Sequence, residues 1–257
     1  MKVVLIGAGN IASHLGPALF KAGHVIKQVG GRTKSTVTSL AKKLHAEPVY
    51  DLSLLTTKAD LYIIAVPDGE IAAVIAQLPF IDRCVAHTSG AVSLSVFPST
   101  FENIGVFWPL QTITKNTSVN FEKVPICIEA RSKLALNRLK KVGSSISKQV
   151  ISVNSDERRW MHLAAVLVNN FPNHLFALAE RLLTTKGISF DVLRPLIQET
   201  AKKVQHASPA SVQTGPARRG DSTTVEEHLR LLANEPQLQE IYRLLSESIE
   251  SLQGPRY

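Results

Sequence analysis

The amino-acid sequence predicts an α/β fold, in which a doubly wound parallel sheet is followed by a smaller, all-helical domain. Eight short apolar segments alternate mainly with helical patterns up to about residue 153, as expected for strands joined by crossover helices. The first of these segments runs directly into a glycine-rich turn. From Ser155 onward no convincing strand pattern remains. We therefore predict two domains, over residues 1–153 and 154–257.

The glycine-rich turn is the first candidate binding site. Residues 3–6 form an apolar run, rich in β-branched side chains, that suits a strand buried on both faces. A G-x-G-x-x-A pattern and a helical pattern follow at once. This context predicts that the turn binds the pyrophosphate of a dinucleotide at a helix N-terminus. The alternative is an ordinary glycine turn. The predicted cofactor contacts are Gly7, Gly9, Asn10 and Ile11.

The end of the second predicted strand suggests which dinucleotide is bound. Many NAD sites have an acidic residue about twenty positions after the glycines, where it holds the ribose 2′-hydroxyl. This chain has Arg32 and Thr33 there and no acid. A guanidinium binds phosphate through two parallel hydrogen bonds, so the two residues predict NADP as the cofactor. The alternative is a loop arginine beside a helix N-terminus.

Polar groups also follow later strands. Val66 and Pro67 end the fourth predicted strand, where they would lie under the nicotinamide half of the cofactor. Asp68 is expected to cap the next helix rather than to act in catalysis. His87, at the end of the fifth strand, is either a cofactor contact or a structural histidine. Ser89 follows it and is a candidate to hold the polar group of a substrate.

The second half begins with a helix predicted over residues 155–184, capped by Ser155 or Asp156. His162 and Asn169 fall on one line of this helix at about 100° per residue. Residues 160–179 contain no Asp, Glu, Lys or Arg, so this face is predicted to line a cleft or to meet a partner subunit. Pro172 is expected to kink the helix.

A loop at residues 208–221 precedes the last two helices. It contains Arg218, Arg219 and Asp221, and it is either a ligand-binding loop or a charged surface turn. Thr223 and Glu226 have the spacing of a capping box for the helix that follows.

Composition limits the function classes. The net charge of +8 comes from scattered basic doublets, Arg158-Arg159 among them, which are expected to be solvated and do not form a nucleic-acid footprint. Cys84 and Cys127 lack metal-site spacing and are expected to be buried, reduced thiols. No membrane span, export signal or metal site is expected, and we predict a cytoplasmic protein.

The motifs together resemble a known family. The glycine turn, residues 31–33, residues 65–68 and the helical second half are similar to the superfamily of pyrroline-5-carboxylate reductase, ketopantoate reductase and 6-phosphogluconate dehydrogenase. Residues 87–91, 109–112, 162–169 and 214–221 more closely resemble a family of NADP oxidoreductases. Members of that family join a Rossmann-like domain to a helical C-terminal domain of unknown function.

The resemblance implies a hydride transfer, in a homodimer built by the helical domains. We expect the acceptor to be a C=O or C=N bond of a small, anionic metabolite. It also places the substrate between the nicotinamide and the first long helix. That helix commonly carries Lys followed by Asn in the superfamily, whereas this chain has no Lys there. The candidate proton donor is His162, with Asn169 orienting the substrate and Ser89 or Gln111 holding its polar group. The alternative is an NADP-binding regulatory or sensor protein without turnover.

Overall fold

The N-terminal part of the chain folds around one eight-stranded sheet. The computed structural model describes residues 1–115 and 117–252. All eight predicted strands are present, in the order β3-β2-β1-β4-β5-β6-β7-β8, which confirms the doubly wound fold. The strands are β1 (Lys2–Ile6), β2 (Val25–Gly30), β3 (Glu47–Val49), β4 (Leu61–Ile64), β5 (Val85–His87), β6 (Ile104–Pro109), β7 (Ile126–Ala130) and β8 (Val150–Ser152).

The sheet departs from the predicted all-parallel arrangement at one pair. Strand β7 runs antiparallel to β6, with Trp108 opposite Cys127, whereas every other neighbouring pair is parallel. Parallel neighbours need a long crossover, usually a helix. The described residues between β6 and β7 contain only a short 3-10 turn, Phe121–Lys123, so the chain returns in the opposite direction.

Helices cover the sheet and bury its central strands. They are α1 (Asn10–Lys21), α2 (Lys34–Lys43), α3 (Ile71–Ile75) and α4 (Lys133–Ile146). The four apolar residues of β1, Val3 to Ile6, are at most 1 % exposed. The α1 side chains Ala12, Leu15 and Leu19 are fully buried in the same core. Both faces of β1 are therefore covered, as its continuous apolar run predicts.

The first helix of the second half has a different cap from the predicted one. Helix α5 (Ser155–Ala165) is capped by Asn154, whose side chain accepts from the backbone of Asp156 and Glu157, and Glu157 completes a capping box. Neither Ser155 nor Asp156 is the N-cap. One turn of π-helix follows over Val166–Asn170, and α6 (Phe171–Thr184) comes next. A kink is expected at Pro172, because proline has no N–H for the regular helical hydrogen bond. The helix is instead interrupted just before Pro172, by the π turn.

The chain forms two compact units, one over Met1–Asn170 and one from Phe171 onward. Helix α5 and the π turn belong to the first unit, although the prediction assigned them to the helical domain. The functional division at residue 153 stays a prediction.

The described part of the second unit, residues 171–252, is built of helices joined by turns and contains no strand. After α6 it contains α7 (Arg194–Lys203), α8 (Pro216–Arg219), α9 (Ser222–Leu231) and α10 (Pro236–Ser251). Asp221 caps α9 by accepting from the backbone N–H of Thr224, so the predicted Thr223–Glu226 capping box is wrong. Within the unit, Arg181 binds Glu235 at 2.7 Å. No helix among the described residues of the whole chain is long and apolar enough to cross a membrane.

Candidate active site

The glycine turn after β1 has the geometry of an anion cradle. Gly7 has φ +115°, and a Cβ there would come within 2.2 Å of the Ala65 carbonyl oxygen, so only glycine fits. Gly9 is the N-cap of α1 and has no side chain to occupy the helix end. A Cβ on Gly9 would meet nothing within 4 Å. The space beside Gly9 at this end of α1 is therefore open, and the first backbone N–H groups of the helix, at Asn10 and Ile11, have no acceptor within the helix.

Arg32 and Thr33 lie at the adjacent strand end. The Gly7 N–H donates to the Gly30 carbonyl at 2.7 Å, which ties the glycine turn to the end of β2. The Arg32 side chain is 81 % exposed, and its Nη2 lies 3.1 Å from a carboxylate oxygen of Glu70 in a salt bridge. Thr33 is the N-cap of α2, and its side chain makes no capping hydrogen bond. Glu70 is a neighbour of Arg32 that the sequence analysis missed.

The segment after β4 packs against the glycine turn that follows β1. The Ala65 N–H donates to the Ile6 carbonyl at 2.7 Å, and the Val66 side chain lies 3.2 Å from the Cβ position of Gly7. Pro67 is the N-cap of a 3-10 turn over Asp68–Glu70. The expected capping role of Asp68 is therefore wrong, since Asp68 lies inside that turn. Val66 and Pro67 stay candidate cofactor contacts by position.

His87 is placed inside the protein. Its imidazole is fully buried, it stacks on Phe97 with ring centroids 5.9 Å apart, and its Nδ1 accepts from the Ser89 N–H at 3.2 Å. Burial, followed by the positive charge of Arg158, lowers the pKa of His87 to about 3. The side chain is thus a neutral structural group under the loop that follows β5, and any contact with a cofactor would need to come from its backbone.

Ser89 is almost completely buried and its oxygen is already engaged. Its Oγ accepts from the N–H groups of Ala91 at 3.1 Å and Val92 at 3.0 Å. A serine hydroxyl has one proton to donate besides its acceptor lone pairs. Ser89 therefore shapes its own loop, and the hydroxyl proton is the part of it that is left for a substrate.

Gly90, Trp108 and His162 come together beside that loop. A Cβ on Gly90 would lie 2.6 Å from Trp108 Cε2 and 3.0 Å from His162 Nδ1, so both rings pack against the Gly90 backbone. The ring of His162 meets Trp108 edge-on, with centroids 6.0 Å apart. His162 is half-buried. The histidine face of α5 is therefore turned toward the strand ends of the sheet.

Asn169 contacts the segment that follows the carboxyl end of β6. Its Nδ2 donates to Thr112 Oγ1 at 2.6 Å, and Thr112 follows β6 by three residues. The regular spacing that placed His162 and Asn169 on one face assumes 3.6 residues per turn, whereas the π turn widens the helix between them. Both side chains nonetheless contact residues at the carboxyl end of β6, where sheets of this class bind ligands.

Arg158 is the main residue of this region that sequence analysis missed. Its side chain is fully buried, and Nη2 binds Glu129 Oε2 at 2.8 Å, so the expectation of a solvated Arg158-Arg159 doublet is wrong for the first member. Arg159 is exposed and pairs with Asp156. Helical spacing was the available signal, because Arg158 lies one turn before His162 on the same face.

The remaining candidate groups belong to the second unit or are buried thiols. Arg219 and Asp221 lie in the second unit, 4.0 Å apart, and Arg218 is exposed on α8. Cys84 and Cys127 are free and buried, as predicted, and burial raises the pKa of each thiol to about 11. Residues 1–115 and 117–252 bring together no cluster of His, Cys, Asp or Glu side chains suited to a metal ion.

Comparisons with known proteins bear on the fold and the family of this chain. Residues 1–107 match the model of Rossmann-like domains, and residues 124–249 match the model of a domain of unknown function, DUF2520. The chain is 39 % identical to a putative NADP oxidoreductase from Bacteroides fragilis, with a TM-score of 0.88 over 97 % of this chain and 98 % of that one.

Two more distant structures share the fold alone. A Thermotoga maritima protein is 24 % identical, with a TM-score of 0.80 over 96 % of this chain and 99 % of that one. An imine reductase from Myxococcus stipitatus, solved with NADP+, is 15 % identical, with a TM-score of 0.66 over 98 % and 92 % of the two chains. No curated protein matches the chain.

Proposed function

We propose that this chain is an NADP-dependent oxidoreductase that reduces a C=O or C=N bond of a small, anionic metabolite. The chain belongs to the family that joins a Rossmann-like domain to the DUF2520 domain. The observation that carries the proposal is the cradle of Gly7 and Gly9 at the N-terminus of α1, with Arg32 at the next strand end. A pyrophosphate fits the cradle because a Cβ on Gly9 would enter open space.

The predicted cofactor contacts at the glycine turn and after β2 have defined tasks. The N–H groups of Asn10 and Ile11 hold the pyrophosphate, and Arg32 with Thr33 holds the 2′-phosphate. Val66 and Pro67 lie at the end of β4, beside Gly7. The bound cofactor supplies the hydride, and the protein orients it and stabilises charge. The imine reductase whose fold this chain shares was solved with NADP+, which supports the assignment.

The proton would come from His162. A positioned imidazole is an effective general acid. His162 is half-buried against Trp108 and the Gly90 backbone, which restricts the ring. The Ser89 hydroxyl proton and the Asn169 amide are donors that could hold the carbonyl or carboxylate of the substrate.

A second candidate is an NADP-responsive regulatory protein without turnover. One observation favours it: Ser89 and Asn169 already have hydrogen-bond partners inside the protein. These partners leave fewer donors and acceptors on the two side chains to hold a reacting substrate.

One experiment separates the two candidates. Purified protein is titrated with NADPH and NADH by fluorescence and is then offered a panel of keto acids and cyclic imines, while NADPH absorbance is followed. The reductase predicts tight NADPH binding and oxidation with at least one substrate. Binding without oxidation across the panel supports the regulatory protein, and no binding of either nucleotide contradicts both.

A further inference from the structure

The guanidinium of Arg158 binds the backbone of the loop that follows β5 in the first unit. Its Nη1 points at three backbone carbonyl oxygens of a single loop, at 3.3 Å for Ser89, 3.0 Å for Gly90 and 2.6 Å for Val92. Its Nη2 donates to Glu129 at 2.8 Å and to Ser155 Oγ at 3.2 Å. The side chain is 0 % exposed. One residue of α5 therefore holds the loop between β5 and β6 and the end of β7 together.

Ser155 and Glu129 bind the Nη2 side of the guanidinium, whereas the buried Nε of Arg158 has no hydrogen-bond partner among the described residues. The Ser155 hydroxyl lies 2.8 and 2.9 Å from the two carboxylate oxygens of Glu129, and it accepts from the Leu94 N–H at 3.3 Å. Burying a charged pair is costly unless its remaining donors and acceptors are satisfied. An apolar residue would fill the same space without that cost, but it would not fix the direction of three carbonyl groups.

The orientation of those carbonyls determines the shape of the loop. The Ser89 hydroxyl accepts from Ala91 and Val92 on the other side of the backbone, and the Ser89 N–H donates to His87. The loop is thereby held from both sides. Gly90, at its centre, packs against Trp108 and His162 so closely that a Cβ would come within 2.6 Å of the indole.

We propose that Arg158 is a positioning residue that holds the Ser89–Val92 loop, and through Gly90 the rings of Trp108 and His162, in the geometry that the reaction needs. The proposal rests on the proposed function for its catalytic part. Arg158 itself is buried and touches no substrate; it acts through the loop. An ammonium is a point charge with three donors, so Lys at this position cannot reproduce the planar fork that meets the carbonyls and Glu129 together.

The test compares Arg158→Lys with Arg159→Lys, its exposed neighbour on the same helix. The sequence contains two tryptophans, Trp108 and Trp160, so all variants are made in a Trp160→Phe background, in which Trp108 is the only tryptophan emitter. We expect Arg158→Lys to shift the Trp108 emission maximum and to speed amide hydrogen exchange in residues 88–94. With any substrate that the panel identifies, we expect kcat to fall at least tenfold while the Kd for NADPH changes less than twofold. Arg159→Lys is expected to change none of these.

A second, milder variant tests the same proposal if Arg158→Lys does not fold. Ser155→Ala removes the hydroxyl contacts to Glu129, Arg158 and Leu94 but keeps the ion pair, and we expect smaller changes in the same direction. Unchanged Trp108 emission and loop exchange in both folded variants would overturn the proposal, as would a lower melting temperature with kcat preserved. If the parent protein oxidises no NADPH with the panel, the proposed function fails, whereas the emission and exchange measurements still decide whether Arg158 fixes the loop.

Discussion

Arg32 forms a salt bridge with Glu70 across the gap between the ends of β2 and β4, with 3.1 Å between Nη2 and Oε2. Nη2 is the guanidinium nitrogen that approaches the carboxylate. The pair is exposed, with 81 % and 39 % of the two side chains accessible, and exposed pairs of this kind contribute little to stability. The arginine therefore keeps free donors for a phosphate, while the glutamate places a negative charge next to them.

The first prediction concerns Arg32 itself. Arg32→Ala should weaken NADPH binding about tenfold to a hundredfold, because hydrogen bonds to charged groups are worth about 1.5–3 kcal/mol, and should leave NADH binding nearly unchanged. Fluorescence titration with both nucleotides measures the two affinities. Lys34→Ala, which removes a neighbouring positive charge, is the control. Equal losses for NADPH and NADH would show that Arg32 does not read the 2′-phosphate.

The second prediction concerns Glu70. Glu70→Gln should strengthen NADPH binding roughly twofold to fivefold, since two like charges 4 Å apart repel by about 1 kcal/mol in water, and should not affect NADH. The gain should shrink as salt is added, because the Debye length falls to about 3 Å at 1 M. Weaker NADPH binding by Glu70→Gln would mean that the carboxylate serves mainly to orient Arg32.

The third prediction concerns the acid stability of the fold. The buried imidazole of His87 has a pKa lowered to about 3, whereas an unfolded chain has about 6.5. Between these values the unfolded state binds the proton and the folded state does not, so this group destabilises the protein as the pH falls below 6.5. The slope is about 1.4 kcal/mol per pH unit. Full stability is present above pH 6.5.

His87→Gln removes that titration. Urea unfolding at pH 7.0, 5.5 and 4.5 should show a smaller loss of unfolding free energy in the variant than in the parent, although the variant is less stable at pH 7. His45→Gln, at an exposed position on the same unit, is the control. Parallel pH dependence in the parent and in His87→Gln would contradict the burial argument.

The sequence predicted the sheet better than it predicted the site. All eight strands appear because unbroken apolar runs such as Val3–Ile6 leave few alternatives to a doubly covered strand. The reversal at β7 was missed because local patterns do not specify strand direction. Arg158 was missed for a related reason. Its burial depends on Glu129 and on the Ser89–Val92 carbonyls, which are distant in sequence and meet it only in the folded chain.

The fourth prediction is the homodimer. Trp160 and Val168 are 72 % and 77 % exposed on the first unit, and in the second unit Leu244 and Leu245 are exposed at 55 % and 45 %. Apolar surface of this extent is typical of an interface. We expect light scattering at micromolar concentration to give about twice the chain mass of 28.1 kDa. Trp160→Glu combined with Val168→Glu should yield monomer, whereas Leu54→Glu, at a position that is 71 % exposed after β3, should not. A monomeric parent protein would refute the proposal.

The last prediction concerns His162, whose ring packs against Trp108 and the Gly90 backbone. His162→Gln should leave NADPH binding intact and reduce single-turnover hydride transfer by about 10² to 10⁴, the usual cost of removing a positioned general acid. His174→Gln, at an exposed position on α6, is the matched control and should transfer hydride at the parent rate. A purely structural histidine gives the opposite pattern, in which the melting temperature falls while the folded protein keeps its rate. Both quantities are measured on the same sample, because normal hydride transfer by His162→Gln would remove this residue from the mechanism and leave solvent water as the proton source.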